Sequence, residues 1–330
     1  MTAAGRVAER GPRVSPAARR VFRDYPLLML LVLLALLVGL VELVRPGIVS
    51  VDWFGTIVRF AVPLSILAAC QTLTMLTGGI DLSVAAVGSM AAFVLATQSP
   101  AQGPLLAVVL GLLVAGFIGL INGVGIGVFR VHPLIMTLGM SLVVLGFMTV
   151  YQLLMVTAGT RIPDALATIG GGTTGGLIPN SLVVFVPLAA VIILGLRRSG
   201  FGRLLYAVGD NEIAARLAGV RVWQVLVALY ILSGVLAGIA GLVYAGLTRV
   251  GTPTLVDPYL LASVAAAVIG GTSILGGRGG YSGTIVGALI LTVMTSLLTV
   301  LQMPEAVRQI IFGAIIVVVA AVYTRVTGET

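Results

Sequence analysis

The chain has 330 residues, 59% of them hydrophobic and only 9% charged, and its mean hydropathy is +1.17. Soluble globular chains are about a quarter charged, so these charges cannot cover a water-facing surface, and the long apolar runs define a polytopic membrane protein. The formal charge of +8 is carried by arginine alone; the absence of lysine excludes the phosphate-binding signature G-x-x-x-x-G-K-[ST], and a single Cys70 and single His132 exclude a disulfide framework and an all-protein zinc site.

The expected fold is all-α, with about ten transmembrane helices. Residues 1–25 form a basic, polar tail in which Arg19, Arg20 and Arg23 precede the first apolar run, "PLLMLLVLLALLVGLVELV" at 26–44. That run is longer than a signal-peptide core and "VELVRPG" is a poor cleavage site, so it reads as the first span. At about 20 apolar residues per crossing, nine more follow at 56–76, 82–97, 104–128, 134–156, 180–196, 223–247, 259–273, 280–301 and 307–323. The third and eighth are short and flanked by glycine, as broken or re-entrant segments buried in protein would be. The membrane domain is therefore 26–325, and 326–330 is a second tail.

With both termini in the cytoplasm, fourteen arginines fall inside and five outside, in agreement with the positive-inside rule. Spans two to five and seven to ten share a layout with a Gly-rich break ("TGGIDLS", "GGTSILGGRGGYSG") before an apolar run. An odd number of spans separates the copies, so a repeat would be inverted, as in many transporters.

Along the chain, Gln71 in span two and Asn122 in span four are polar in apolar surroundings. Interhelical hydrogen bonding is one reading; the wall of a solute path is the other. Asp81 and Ser83 in "TGGIDLS" read either as a cap of the third span or as a gate, since acids at membrane depth are usually functional. Gly119, Gly123 and Gly127, Gly234 and Gly238, and Gly283 and Gly287 recur at four-residue spacing, the pattern of close helix packing. His132, with no partner ligands, reads as a loop residue.

One segment breaks the apolar pattern. In "GDNEIAARLAGVRV" Asp210 or Asn211 can cap a helix, Glu212 suits its first turn, Ala214, Ala215, Arg216 and Leu217 favour helix, and Gly219 suits the residue after its end. Ile213, Leu217 and Val220 share one face. Two turns are too few to stand alone, so the helix needs a surface: the bilayer or another protein.

Here the sequence resembles a family. E-x-A-A-x-x-x-G (Glu212, Ala214, Ala215, Gly219) is similar to the coupling motif of ABC importer permeases, and "GFGRLLYAVGDNEIAARLAGVRV" resembles its form in the ribose-type sugar permeases. "LTGGIDLSVAAVGS", "INGVGIGVFRVHPLIMTLGM" and "VAAAVIGGTSILGGRGGYSGTIVGALI" resemble further blocks of that family in order, over most of 65–320. Asp210, Ala85, Ala86 and the lack of a glutamate in "DPYLLASVAA" depart from its pattern. The resemblance implies the transmembrane subunit of a sugar importer in the bacterial inner membrane. Its implied partners are a cytoplasmic ABC ATPase subunit, a periplasmic sugar-binding protein and a second permease copy or paralogue, with lipid around it and no nucleic acid. The chain itself would hold no cofactor; ATP and magnesium would sit on the ATPase. Asp210, Asn211, Glu212, Ala214, Ala215, Arg216 and Gly219 would contact that ATPase. The outer segments 157–179 and 248–258, the first too long for a simple connector and without the inner side's arginine excess, are expected to meet the binding protein. Branched-chain amino acid or nucleoside permeases of the same architecture are the alternative. An ion-coupled transporter would need buried acidic relays, and a membrane enzyme a convergent catalytic cluster; neither is visible.

Overall fold

The computed structural model describes residues 26–155 and 160–327; the expected N-terminal tail, residues 156–159 and the last three residues lie outside the described residues. The helices are α1 (Pro26–Val44), α2 (Val51–Met75), α3 (Val84–Gln102), α4 (Pro104–Gly127), α5 (Pro133–Met155), α6 (Asp164–Gly171), α7 (Leu182–Arg198), α8 (Gly200–Asp210), α9 (Glu212–Leu217), α10 (Val222–Thr248), α11 (Tyr259–Ile269), α12 (Tyr281–Val300) and α13 (Glu305–Thr327). A two-residue antiparallel pair, β1 (Thr173–Thr174) and β2 (Ile178–Pro179), sits between α6 and α7.

Seven of these helices are long and apolar enough to cross a membrane, and α7 with α8, bent by 65°, makes up to eight. The chain is thus a multi-pass helical membrane protein, but the expected ten simple spans are not all present as such. The eighth is the clearest difference. α11 has only 11 residues, about 17 Å of helix against a hydrocarbon core about 30 Å thick. Beyond Ile269 the chain runs through Gly270–Gly280 without helix. Two elements were not foreseen: α6 inside the expected loop 157–179, and α8, which extends the sixth span as a separate helix started by Ser199, whose Oγ accepts from the Gly202 N–H at 2.9 Å.

α10 is the central helix, packed against α4, α3, α2 and α6. Glycine explains how closely the helices approach. A Cβ on Gly123 would stand 2.7 Å from the Val227 Cα, and one on Gly127 2.8 Å from the Trp223 carbonyl oxygen. Gly283 and Gly287 likewise place α12 against Gly270 and Ala266 of the α11 region. By contrast α1 and α5 are largely bare, with Leu36, Leu43, Ile135 and Leu153 exposed, as lipid-facing helices should be.

α2 sets the depth scale of the molecule. It starts behind the cap Ser50, whose Oγ accepts from the Trp53 N–H at 3.2 Å, and ends where the Leu76 carbonyl accepts from the Gly277 N–H at 3.0 Å. Both Gly-rich breaks therefore meet at one end of the bundle, beside α9. Counterparts under inversion would lie at opposite ends, so the two breaks are not copies of one another.

Candidate functional site

α9 is built from local rules. Asn211, not Asp210, is the N-cap; its Oδ1 accepts from the Ala214 N–H at 2.9 Å. Asp210 is the last residue of α8. Gly219, at φ +86°, follows the C-cap Ala218, a conformation that suits glycine at this position. The Val220 N–H closes the turn on the Ala215 carbonyl at 3.0 Å.

The charges of α9 pair at the surface. The Glu212 carboxylate is paired with both Arg130 and Arg216. Burial pushes its carboxyl up, but the two guanidiniums outweigh that and hold it below the usual glutamate value. Arg130 lies in the α4–α5 turn, at φ +59°, so this pair fastens α9 to the far end of α4. Between them is a cleft of about 320 Å³ lined by Thr77, Arg130, His132, Glu212 and Tyr230, among others.

Ala215, expected to pack against a partner, instead faces the chain's own interior at 6% exposure. The outward apolar residues are Ile213 and Leu217, 73% and 85% exposed. Ala214, Arg216 and Gly219 are also exposed.

Behind α9 three backbones converge. A Cβ on Gly209 of α8 would collide with the Leu76 carbonyl and stand 2.7 Å from the Gly277 nitrogen. One on Gly276 would stand 2.7 Å from the Gly209 oxygen and 3.1 Å from the Gly78 nitrogen. The Tyr206 hydroxyl of α8 donates to the Gly279 carbonyl at 2.9 Å. α8, the α2–α3 loop and the α11–α12 loop thus touch backbone to backbone.

The second group of expected residues, Asp81 and Ser83 of the α2–α3 loop, Gln71 of α2 and Asn122 of α4, comes together. Asp81 is 2% exposed. Its Oδ1 accepts from the Ser83 N–H at 3.0 Å and the Ser83 hydroxyl at 2.6 Å, and its Oδ2 from the Ser233 hydroxyl of α10 at 2.8 Å. The Gln71 side chain donates to the Asp81 carbonyl at 2.8 Å and accepts from its N–H at 3.3 Å. The Asn122 Nδ2 donates to the Ser83 Oγ at 2.9 Å. Ser83 makes no side-chain cap bond to α3; its hydroxyl serves the network. Gln71 and Asn122, at 0% and 1% exposure, are enclosed by their own chain. The Asn122 Oδ1 and Tyr230 hydroxyl are buried without a partner among the described residues.

The α2–α3 loop is thus fixed to α2, α4 and α10 by hydrogen bonds and to α8 by backbone contact, within a multi-pass helical membrane protein. The chain's own family is more specific. Residues 54–320 match the family described as "Branched-chain amino acid transport system / permease component", and the chain belongs to that family. It is 32% identical over 298 residues to the ribose import permease of Haemophilus influenzae, covering 89% of this chain and 92% of that protein. It is 34% identical over 297 residues to the ribose import permease of Escherichia coli K12 (88% and 91%), and 33% identical over 279 residues to the fructose import permease of Rhizobium meliloti (78% and 74%). No solved structure matches.

Proposed function

We propose that the chain is the transmembrane subunit of an ATP-binding-cassette importer for a simple sugar delivered by a periplasmic binding protein. The observation that carries the driven end is α9, held by Glu212 and Ala215 on one side and presenting bare Ile213 and Leu217 on the other. Exposed apolar side chains on a helix too short to stand alone fit a cleft of an ATPase subunit. ATP and magnesium bind on that ATPase, since this chain has no lysine for a standard phosphate loop.

The arginine distribution supports a cytoplasmic α9 and cytoplasmic termini in a bacterial inner-membrane protein. Ten traverses follow if α11 and the irregular 270–280 segment together make the eighth. The Tyr259 hydroxyl donates to the Phe60 carbonyl at 3.2 Å, and Gly277 reaches Leu76, so this stretch covers about 24 Å of the length of α2. Irregular backbone at membrane depth is tolerated where protein covers it, as at the buried Thr272 and Ser273. A second permease copy or paralogue completes the path, and opening of the bundle around Gln71 and Asn122 would bring them to it.

Branched-chain amino acid transport is the second reading, favoured by the family description; the sugar reading rests on the ribose and fructose permeases above. Uptake into proteoliposomes containing the permease, ATPase and binding protein separates them. Labelled ribose, fructose or arabinose should accumulate and labelled leucine should not; leucine uptake alone would reverse the assignment.

A further inference from the structure

At the end of the bundle away from α9 lies a cavity of about 440 Å³ between α2, α11, α12 and α13. Its volume is in the range of small-molecule sites. Its walls combine two chemistries. Trp53, Phe60, Tyr259 and Phe312 supply aromatic surface. Thr292, Thr295, Ser296 and Thr299 line it from α12; their spacing of i, i+3, i+4, i+7 places them on one helix face.

These hydroxyls are not equivalent to free ones. Thr292, Thr295 and Thr299 donate to the carbonyls of Ala288, Leu291 and Thr295 at 2.8, 2.8 and 2.7 Å. Their hydrogens are used within the helix, and their oxygens remain as acceptors. The Ser296 Oγ accepts from the Trp53 indole N–H at 3.0 Å. The mouth holds Arg308, paired through Nη1 with Glu305 at 3.2 Å. Its Nε–H is buried with no partner among the described residues.

We infer that this cavity is a transit site for a neutral monosaccharide, entered from the face where a binding protein would release it. A sugar's hydroxyls are the donors that a row of acceptor oxygens lacks, its C–H face matches the aromatic walls, and one of its oxygens can accept from the Arg308 Nε–H. A lipid tail would leave that N–H unpaired, which is costly in a buried setting. The inference rests on the sugar-importer reading and adds the place in this chain where the sugar is held. Acceptors without a matching set of donors make a site for passage rather than tight storage.

The test uses the whole transporter in proteoliposomes. Cys70 is 0% exposed, so a Thr295→Cys variant carries one accessible thiol in the cavity. A hydrophilic methanethiosulfonate reagent should modify it, and whichever of ribose, fructose or arabinose the wild type imports should slow modification about threefold to tenfold. Thr295→Val should lower the uptake rate by a similar factor, with Thr295→Ser restoring it, while thermal unfolding in detergent reports that each variant folds. Reaction only with a hydrophobic maleimide would show a lipid-filled cavity and overturn the inference. So would modification unaffected by a sugar that the wild type imports, in which case the importer reading stands and only the site falls. A wild type that imports none of these sugars removes both.

Discussion

Asp81 shows how a buried acid can be made affordable in a membrane protein. Three donors from Ser83 and Ser233 converge on its two oxygens, so its acceptors are satisfied by hydrogen bonds and not by a countercharge. Asp81→Ala would leave the Ser83 N–H with no acceptor, at a cost of about 1–3 kcal/mol, whereas Asp81→Asn keeps an acceptor and should cost under about 1 kcal/mol. Detergent-denaturation midpoints of the two variants check this order. The acid, Ser83, Gln71 and Asn122 could be picked from the sequence because each is polar within an apolar run. That they form one network could not, since Ser233 is an ordinary serine in α10, 152 residues from Asp81.

The same scale separates two residues of α9 that the motif treats alike. Ala215 is 6% exposed, Leu217 85%. Ala215→Arg forces a long side chain into the chain's own packing and should cost roughly 1–3 kcal/mol. Leu217→Asp should change stability by under about 0.5 kcal/mol yet abolish ATP-driven uptake. Thermal unfolding together with uptake distinguishes the two.

At the scale of elements, the decisive feature is the contact of α8 with two glycine-rich loops. Gly209→Ala places a methyl against the Leu76 carbonyl and the Gly277 nitrogen. The three backbones must separate, so membrane insertion should persist while uptake falls, as measured by protein yield in membranes against transport rate. The Glu212 pairs fix the other side of α9. The carboxyl is held below the usual value of 4.5, so its ion pairs are complete above that value and are lost only as pH falls through the lower folded value. Coupling should therefore show no Glu212 titration across the neutral range, and a pH–rate profile that loses an acid limb near neutrality in Glu212→Gln would contradict this. Hydropathy located the long helices because each is a continuous apolar run. It marked the eighth span as short and broken but could not place where α11 ends, because nothing in "YLLASVAAAVIGGTS" says whether the helix stops at Ile269 or continues. It missed α6 and α8, since short helices get their stability from docking, which a single sequence does not display.

At the scale of the whole molecule, the α2–α3 loop is common to both ends of the argument from structure to transport. It is tied to the helices of the bundle through Gln71, Asn122 and Ser233, and to α8, on which α9 packs, through Gly78, Gly209 and Gly276. A push on α9 from outside the chain thus has a contiguous, tightly packed route into the bundle. The most direct test is ATP hydrolysis by the assembled transporter in proteoliposomes, with and without sugar-loaded binding protein. Wild-type hydrolysis should rise when the loaded protein is added, and Leu217→Asp should remove that rise while the complex remains folded. Stimulation that survives Leu217→Asp at full strength, or uptake that proceeds on an ion gradient without ATP, would contradict the account.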